Sequence, residues 1–236
     1  MKRSILIVLA SLFVFSSCTK SIEGEGPVVT EFRTLTGFTG VDLRCSADII
    51  YKQASEFKVE VSGQQNILNV MITEVVNGNL VVRIKDDKRV KTNETLRVVV
   101  SSPDISYINN SGSGDIKSSE KITSTTLKLN ISASGDIVLN ELEAATLDAT
   151  ISGSGNVNVL AGVVELEKLN ISGSGNMELA NLRTTIANTT TSGSGYTKIY
   201  VVDELVCTIS GSGSVYYKGA PSVVKNISGS GNVVPV

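Results

Sequence analysis

The 236-residue chain contains no histidine. That removes the commonest general base and the commonest transition-metal ligand together. Every Ser-His-Asp and Cys-His constellation is excluded with them. Tryptophan is also absent and aromatic residues make up only 5% of the chain, so any core must be built from aliphatic side chains. The 3 cysteines, Cys18, Cys45 and Cys207, have no close-spaced partners. No zinc motif exists, therefore, and Cys45 and Cys207 alone do not make a disulfide framework. Charge of one sign is missing too: 21 basic side chains face 23 acidic ones, for a net charge of −2. Nucleic acid needs a concentrated basic surface, and this balance excludes it as a partner.

The longest apolar run, residues 5–15, is too short to span a bilayer. It follows Lys2 and Arg3 and ends in Phe15-Ser16-Ser17-Cys18. A positive start, an apolar stretch and a small residue before cysteine resemble the lipobox of bacterial lipoproteins. Residues 1–17 are therefore expected to be a signal peptide, with Cys18 lipidated and anchoring the chain to a membrane without crossing it. Residues 18–27, polar and glycine-rich, read as a flexible tether. Their Glu23 and Glu25 resemble a Bacteroidetes signal for export to the cell surface.

What is abundant is one corner. Ser-Gly-Ser-Gly begins at Ser111, Ser152, Ser172, Ser192, Ser210 and Ser228, with Ser-Ala-Ser-Gly at Ser132, at spacings of 18–21 residues. A fixed period near 20 marks a stack of similar coils. Before each corner the chain alternates apolar and polar, as in Leu127-Lys128-Leu129-Asn130-Ile131 and Leu205-Val206-Cys207-Thr208-Ile209. A second short strand follows, carrying Ile137 and Leu139, Val157 and Val159, or Met177 and Leu179. This is the period of half-buried strands. A Gly/Ser linker has no reason to alternate with such segments. Equivalent strands of successive coils run the same way, and crossover chirality favours right-handed winding. The expected fold is all-β: a right-handed parallel β-helix over residues 109–236, on the order of 30 Å long at about 4.8 Å per coil. Glycine is expected at the corners for positive φ, with serine hydroxyls capping the turns.

This register makes specific demands. Cys207 shares the slot of Leu129, Ala149 and Leu169 and should point inward as an inert thiol. Lys128, Asp148 and Lys168 share an outward slot. Lys225 falls in the inward slot of the last coil, where an atypical end is expected, and Pro235 suits an end that is not extended. Tyr217, in the slot of Leu179 and Ile199, reads as core. Residues 28–108 are strand-rich but irregular, with an Asn77-Gly78 hairpin turn and a charged loop over residues 86–95. They read either as an N-terminal cap or as larger coils of one continuous unit over 28–236. No helix is expected beyond the signal peptide.

The lipobox, the run Asn77-Gly78-Asn79-Leu80-Val81-Val82-Arg83-Ile84-Lys85-Asp86-Asp87 and the repeated Ile-Ser-Gly-Ser-Gly-Asn coils together resemble the auto-transporter adhesin head domain, or GIN domain, of Bacteroidetes envelope proteins. The resemblance covers residues 32–236. It implies a right-handed parallel β-helix exposed at the outer membrane and an adhesin-like or structural role. It carries over no catalytic residue.

The residues themselves offer little chemistry. The corner loops lack the lysine and following helix of a phosphate loop. No catalytic residue, cofactor or metal is expected. Asp115, Asp136 and Asn156 follow the corners and could stack as a polar ladder, with calcium binding a weaker reading than turn chemistry. Glu141, Glu143, Glu165 and Glu167 read as solvated charges. Tyr196, Tyr200 and Tyr216 lie on neighbouring coils and are the candidate contacts for a glycan or a surface protein. The alternatives are a polysaccharide lyase or glycosidase, which a groove with convergent carboxylates would favour, and a periplasm-facing assembly lipoprotein.

Overall fold

The computed structural model describes residues 20–236; Cys18 and the signal segment lie outside the described residues. A single 17-stranded sheet winds through the molecule. Along the regular coils each residue stacks on the one about twenty positions earlier. Residues 137–139, 141–144 and 146–151 form three stretches of one coil, parallel and in register with the coils on either side. The corner closes each turn. This is a parallel β-solenoid, and its interior is the alternation of the sequence turned inward.

One inner ladder runs Leu129, Ala149, Leu169, Thr189, Cys207 in register, and all five are buried. Cys207 takes the inward slot expected of it, and burial, only partly offset by the neighbouring Thr189 hydroxyl, pushes its thiol pKa up. Lys128, Asp148 and Lys168 stack in register along the outer side. Lys225 follows Cys207 on the last coil, and its Nζ bends back to donate to the carbonyl of Val233 at 3.1 Å. The ammonium thus leaves the column through its open end. Tyr217 is only half-buried, packed against the core's edge.

The corner glycines are needed for a reason other than the expected one. Positive φ among glycines occurs at Gly26, Gly37, Gly78, Gly162 and Gly219, none of them in a corner. Instead the corners lie directly on one another. A Cβ on Gly175 would stand 1.9 Å from the carbonyl oxygen of Gly155, and one on Gly193 would stand 1.9 Å from that of Gly173. Removing the side chain lets Ser174 N–H reach Gly153 O and Ser194 N–H reach Gly173 O, both at 3.1 Å.

The N-terminal half contributes both coils and a cap. Gly40–Leu43 and Asp48–Gln53 form a complete coil, whose corner Arg44-Cys45-Ser46-Ala47-Asp48 is an unrecognised copy of the repeat. This coil lies between two others: Tyr107–Asn110 and Ile116–Ile131 on one side, Asn79–Ile84 and Arg97–Ser102 on the other. The chain therefore lays down its second coil outside its first before building the regular stack. Below this corner Arg44 N–H meets Val82 O and Asp48 N–H meets Leu96 O, and the chain between Val82 and Leu96 leaves the column. No corner lies beneath Cys45 and Ala47, so they can keep their Cβ atoms.

Antiparallel strands close that end. Lys58–Gln64 pairs with Arg97–Ser102 and with Val28–Phe32, while Met71–Val76 pairs with Asn79–Ile84 through the Asn77-Gly78 turn. Asn77 and Gly78 both have positive φ, 50° and 76°, as the hairpin turn requires. A single helical turn, Gln65–Leu68, was not expected from the sequence. Part of the segment read as a tether is also held. Lys20–Glu23 pairs parallel with Lys88–Lys91, a strand inside the charged loop, and Asn66 bonds Glu23 O at 2.6 Å and Glu25 N–H at 3.1 Å. Backbone pairing with the strand edge of Lys88–Lys91 overrides the flexibility that composition suggests.

Candidate functional site

The residue after each corner builds a ladder along the column. Asp48 Oδ1 accepts the N–H of Asp115 at 3.0 Å, and Asp115 Oδ1 accepts that of Asp136 at 3.0 Å. Asp136 Oδ1 accepts both N–H and Nδ2 of Asn156, at 2.7 and 3.0 Å, and Asn156 does the same for Asn176 at 3.0 Å each. Asn176 Oδ1 then accepts Tyr196 N–H at 3.0 Å. Short polar side chains here satisfy backbone groups that a bend leaves unpaired. Burial alone would raise the Asp115 carboxyl. The Asp136 N–H and the Lys117 ammonium at 2.9 Å outweigh it and hold that carboxyl below its usual range. The Oδ1 atoms of Asp115, Asp136 and Asn156 are thus spent on backbone. Among the described residues no cluster of three or more metal-ligating side chains occurs.

The ladder breaks at Tyr196, whose side chain offers no short acceptor to the next coil. It resumes only where Ser214 Oγ accepts Asn232 N–H at 3.2 Å. Tyr196 turns outward instead, and its hydroxyl donates to Glu178 Oε1 at 2.6 Å. That carboxylate holds the phenol above its ordinary pKa, and it also holds the Lys198 ammonium, 2.9 Å away, above its own.

The structure brings the three candidate tyrosines onto one outward face. Tyr196, Lys198 and Tyr200 alternate along Thr197–Ile209 and the corner before it, while Thr197, Ile199 and Val201 point in. On the following strand Tyr216 is in register with Lys198, and Lys218 with Tyr200. On the preceding strand Glu178 is in register with Lys198, and Arg183 with Tyr200. The rings of Tyr196 and Tyr216 meet edge to face at 6.2 Å. Lys198 Nζ lies 4.9 Å from the Tyr196 centroid, and Lys218 Nζ lies 4.8 Å from that of Tyr200. Sequence reasoning found the tyrosines but missed Lys198, Lys218 and Arg183. For Lys198 and Lys218 the signal was spacing, i+2 along one strand and 18 residues to the next coil; Arg183 follows a register shift that the repeat does not show.

A second feature bears on catalysis. A shallow groove of about 540 Å³ crosses several coils and is lined by Asp104, Glu143 and Glu165 with Thr123, Ser124 and Val163. Asp104 and Glu165 are exposed, and Glu143 is half-exposed and held by Lys121 at 2.5 Å. A glycosidase acid needs a carboxyl kept protonated by an apolar surrounding. These three stand in water. Among the described residues, the carboxyl that burial drives well above its usual pKa is Glu167. It contradicts the solvated reading. Glu167 sits in the inward slot between Leu147 and Ala187, is 0% exposed, and neither oxygen has a hydrogen-bond partner. Sealed in the core, it cannot meet a substrate. Further along the column Thr191 and Thr197 also turn inward with unpaired hydroxyls.

A capped parallel solenoid with a corner ladder and one aromatic outward face defines a repeat scaffold of the β-solenoid class. The chain belongs to the family described as "Putative auto-transporter adhesin, head GIN domain", whose model matches residues 37–221. Solved structures share the fold. One, described as a putative adhesin from Bacteroides fragilis NCTC 9343, is 23% identical with a TM-score of 0.85, over 91% of this chain and 100% of its own. A putative adhesin from Parabacteroides merdae ATCC 43184 is 24% identical with a TM-score of 0.75, covering 92% of this chain and 99% of its own. A protein described as a putative lipid binding protein, from Parabacteroides distasonis ATCC 8503, is 23% identical with a TM-score of 0.78, over 92% of this chain and 100% of its own. No curated protein matches the sequence.

Proposed function

We propose that this chain is a non-enzymatic binding module of the bacterial cell envelope, lipid-anchored through Cys18 at the outer membrane and facing outward. It grips a glycan with the face that carries Tyr196, Tyr200 and Tyr216. The family's adhesin description supports a binding role, and the residues around Cys18 support the anchor.

The observation that carries the reading is the break at Tyr196. Five successive coils place Asp or Asn after the corner, and each accepts an N–H from the next. Tyrosine forfeits that bond, a loss of about 1 kcal/mol. Residues that break a fold's local rule cluster where function needs them. Two further tyrosines stand beside it, and an aromatic face offers the apolar platform on which a sugar ring stacks.

The test is a glycan array probed with the purified protein and with two variants. Binding is expected to fall at least tenfold in Tyr196→Asn and in the Tyr200→Ala/Tyr216→Ala double variant. The melting temperature of Tyr196→Asn is expected to hold or rise, because the ladder is restored. Array binding that survives both variants would remove the tyrosine face from the proposal. A large loss of stability in Tyr196→Asn would show that the tyrosine is there for the fold.

A further inference from the structure

The tyrosine face is not electrically neutral. Along the strand before it stand Glu178 and Arg183, along its own strand Lys198, and along the strand after it Lys218. Glu178 and Lys198 neutralise one another at 2.9 Å. Arg183 and Lys218, both exposed, pair with Tyr200 from either side, Arg183 after a register shift that follows Leu179, and neither has a carboxylate partner among the described ion pairs. From Ser111 onward Arg183 is the only arginine in the sequence. Two unpaired cations therefore bracket one ring of the patch, while the Tyr196–Tyr216 pair lies at its other end.

The geometry is compact. Tyr196 and Tyr200 are four residues apart on an extended strand, about 13 Å at 3.3 Å per residue, and Arg183 and Lys218 lie one strand to either side of Tyr200, about 4.8 Å each way. A ligand laid along the strand would meet ring faces at one end and a pair of charged donors at the other. An arginine fork and an ammonium on the strands either side of one ring supply the kind of donors that a carboxylate accepts. A neutral sugar leaves both cations without a partner once it covers them, and desolvating an unpaired charge is unfavourable.

Building on the tyrosine-face reading above, we infer that the ligand is an acidic glycan whose sugar carboxylate lies between Arg183 and Lys218 while its rings pack on Tyr196, Tyr200 and Tyr216. The Lys218 ammonium that covers the Tyr200 ring in the free protein, 4.8 Å from its centroid, swings onto the carboxylate and uncovers the ring. The site thus exchanges an internal cation–π contact for a charge pair when the ligand arrives.

The experiment pairs each acidic sugar with its neutral twin. Oligogalacturonate, hyaluronan and sialyllactose are titrated into the purified protein beside their methyl esters, which keep the rings and lose the charge. At least one acid is expected to bind about tenfold or more tighter than its ester, and the difference should shrink as salt is raised from 50 to 500 mM. The Arg183→Ala/Lys218→Ala variant should lose that preference while keeping the affinity for the ester. Both side chains are exposed, so its melting temperature should stay with that of the wild type. Equal binding of acid and ester, lost on Tyr216→Ala, would overturn the charge inference and leave the tyrosine face standing. Failure of every acid and every ester to bind would overturn both.

Discussion

Replacing Glu167 by leucine is expected to stabilise the protein by about 1–3 kcal/mol, the usual cost of a buried polar group without a partner. In a domain of this size that corresponds to a rise in melting temperature on the order of 5 °C. The slot suits the substitution. The in-register neighbours of Glu167 are Leu147 and Ala187, and the position repeats as Leu205 one coil further on. Neither carboxyl oxygen has a partner to lose.

The gain should depend on pH. Burial holds the folded carboxyl well above its ordinary pKa, and no charged group contributes to that shift. A group raised on folding gives its full contribution below the unfolded value, near 4.3 for glutamate, and loses it as pH rises through the folded value. As far as this group is concerned, the wild type should therefore be most stable below about pH 4. From there it should lose about 1.4 kcal/mol per pH unit until the folded carboxyl ionises. Glu167→Gln should abolish that slope without the full gain in stability, and Glu167→Leu should abolish it with the gain. Thermal unfolding at a series of pH values reads both. A leucine variant less stable than the wild type at pH 8 would mean that Glu167 has a buried partner after all.

Gly175→Ala is expected to act in the other direction and at least as strongly. The new Cβ would stand 1.9 Å from Gly155 O and 2.9 Å from Ile151 Cγ2, so a rigid corner must lift away from the one beneath it. Overpacking a well-packed interior costs about 1–3 kcal/mol and sometimes more, and here the obstacle is backbone. A fall in melting temperature of roughly 2–12 °C follows from that cost. Ser174→Ala, one residue away and exposed, should leave stability within about 0.5 kcal/mol. The seven corners of the sequence vary at the first glycine, where Ala133 stands once, but not at the second. An unchanged melting point for Gly175→Ala would mean that the corners do not bear on one another.

Much of this architecture was legible before any coordinates, and the reason is repetition. A slot occupied by Leu129, Ala149 and Leu169 fixes the direction of Cys207, because stacked strands share one register. Where repetition fails, so does the reading. Arg44-Cys45-Ser46-Ala47 carries no glycine, since nothing lies beneath it, and so it hid a full coil of the column. The pairing of Lys20–Glu23 with Lys88–Lys91 joins two charged, non-repeating segments distant in sequence, and only the fold brings them together. Glu167 is the instructive case. Its alignment with Leu127 and Leu147 was visible, but a charged residue in a strand is so often solvated that its type overrode its position. The corner glycines were found for the wrong reason, since a tight turn and a tight stack both demand a missing side chain and sequence does not separate them. At the site, the tyrosines stood out by type, whereas Arg183, Lys198 and Lys218 gained meaning only from neighbours one coil away.

A continuous column requires corners that are bonded floor to floor, and native-state hydrogen exchange measures that directly. The amides of Ser154, Ser174, Ser194, Ser212 and Ser230 each donate to a corner carbonyl of the coil below at 3.0–3.1 Å. Peptides covering these serines are expected to exchange as slowly as the strands beside them, opening only with global unfolding. Exchange within seconds at those peptides, while the flanking strands stay protected, would contradict the continuous column.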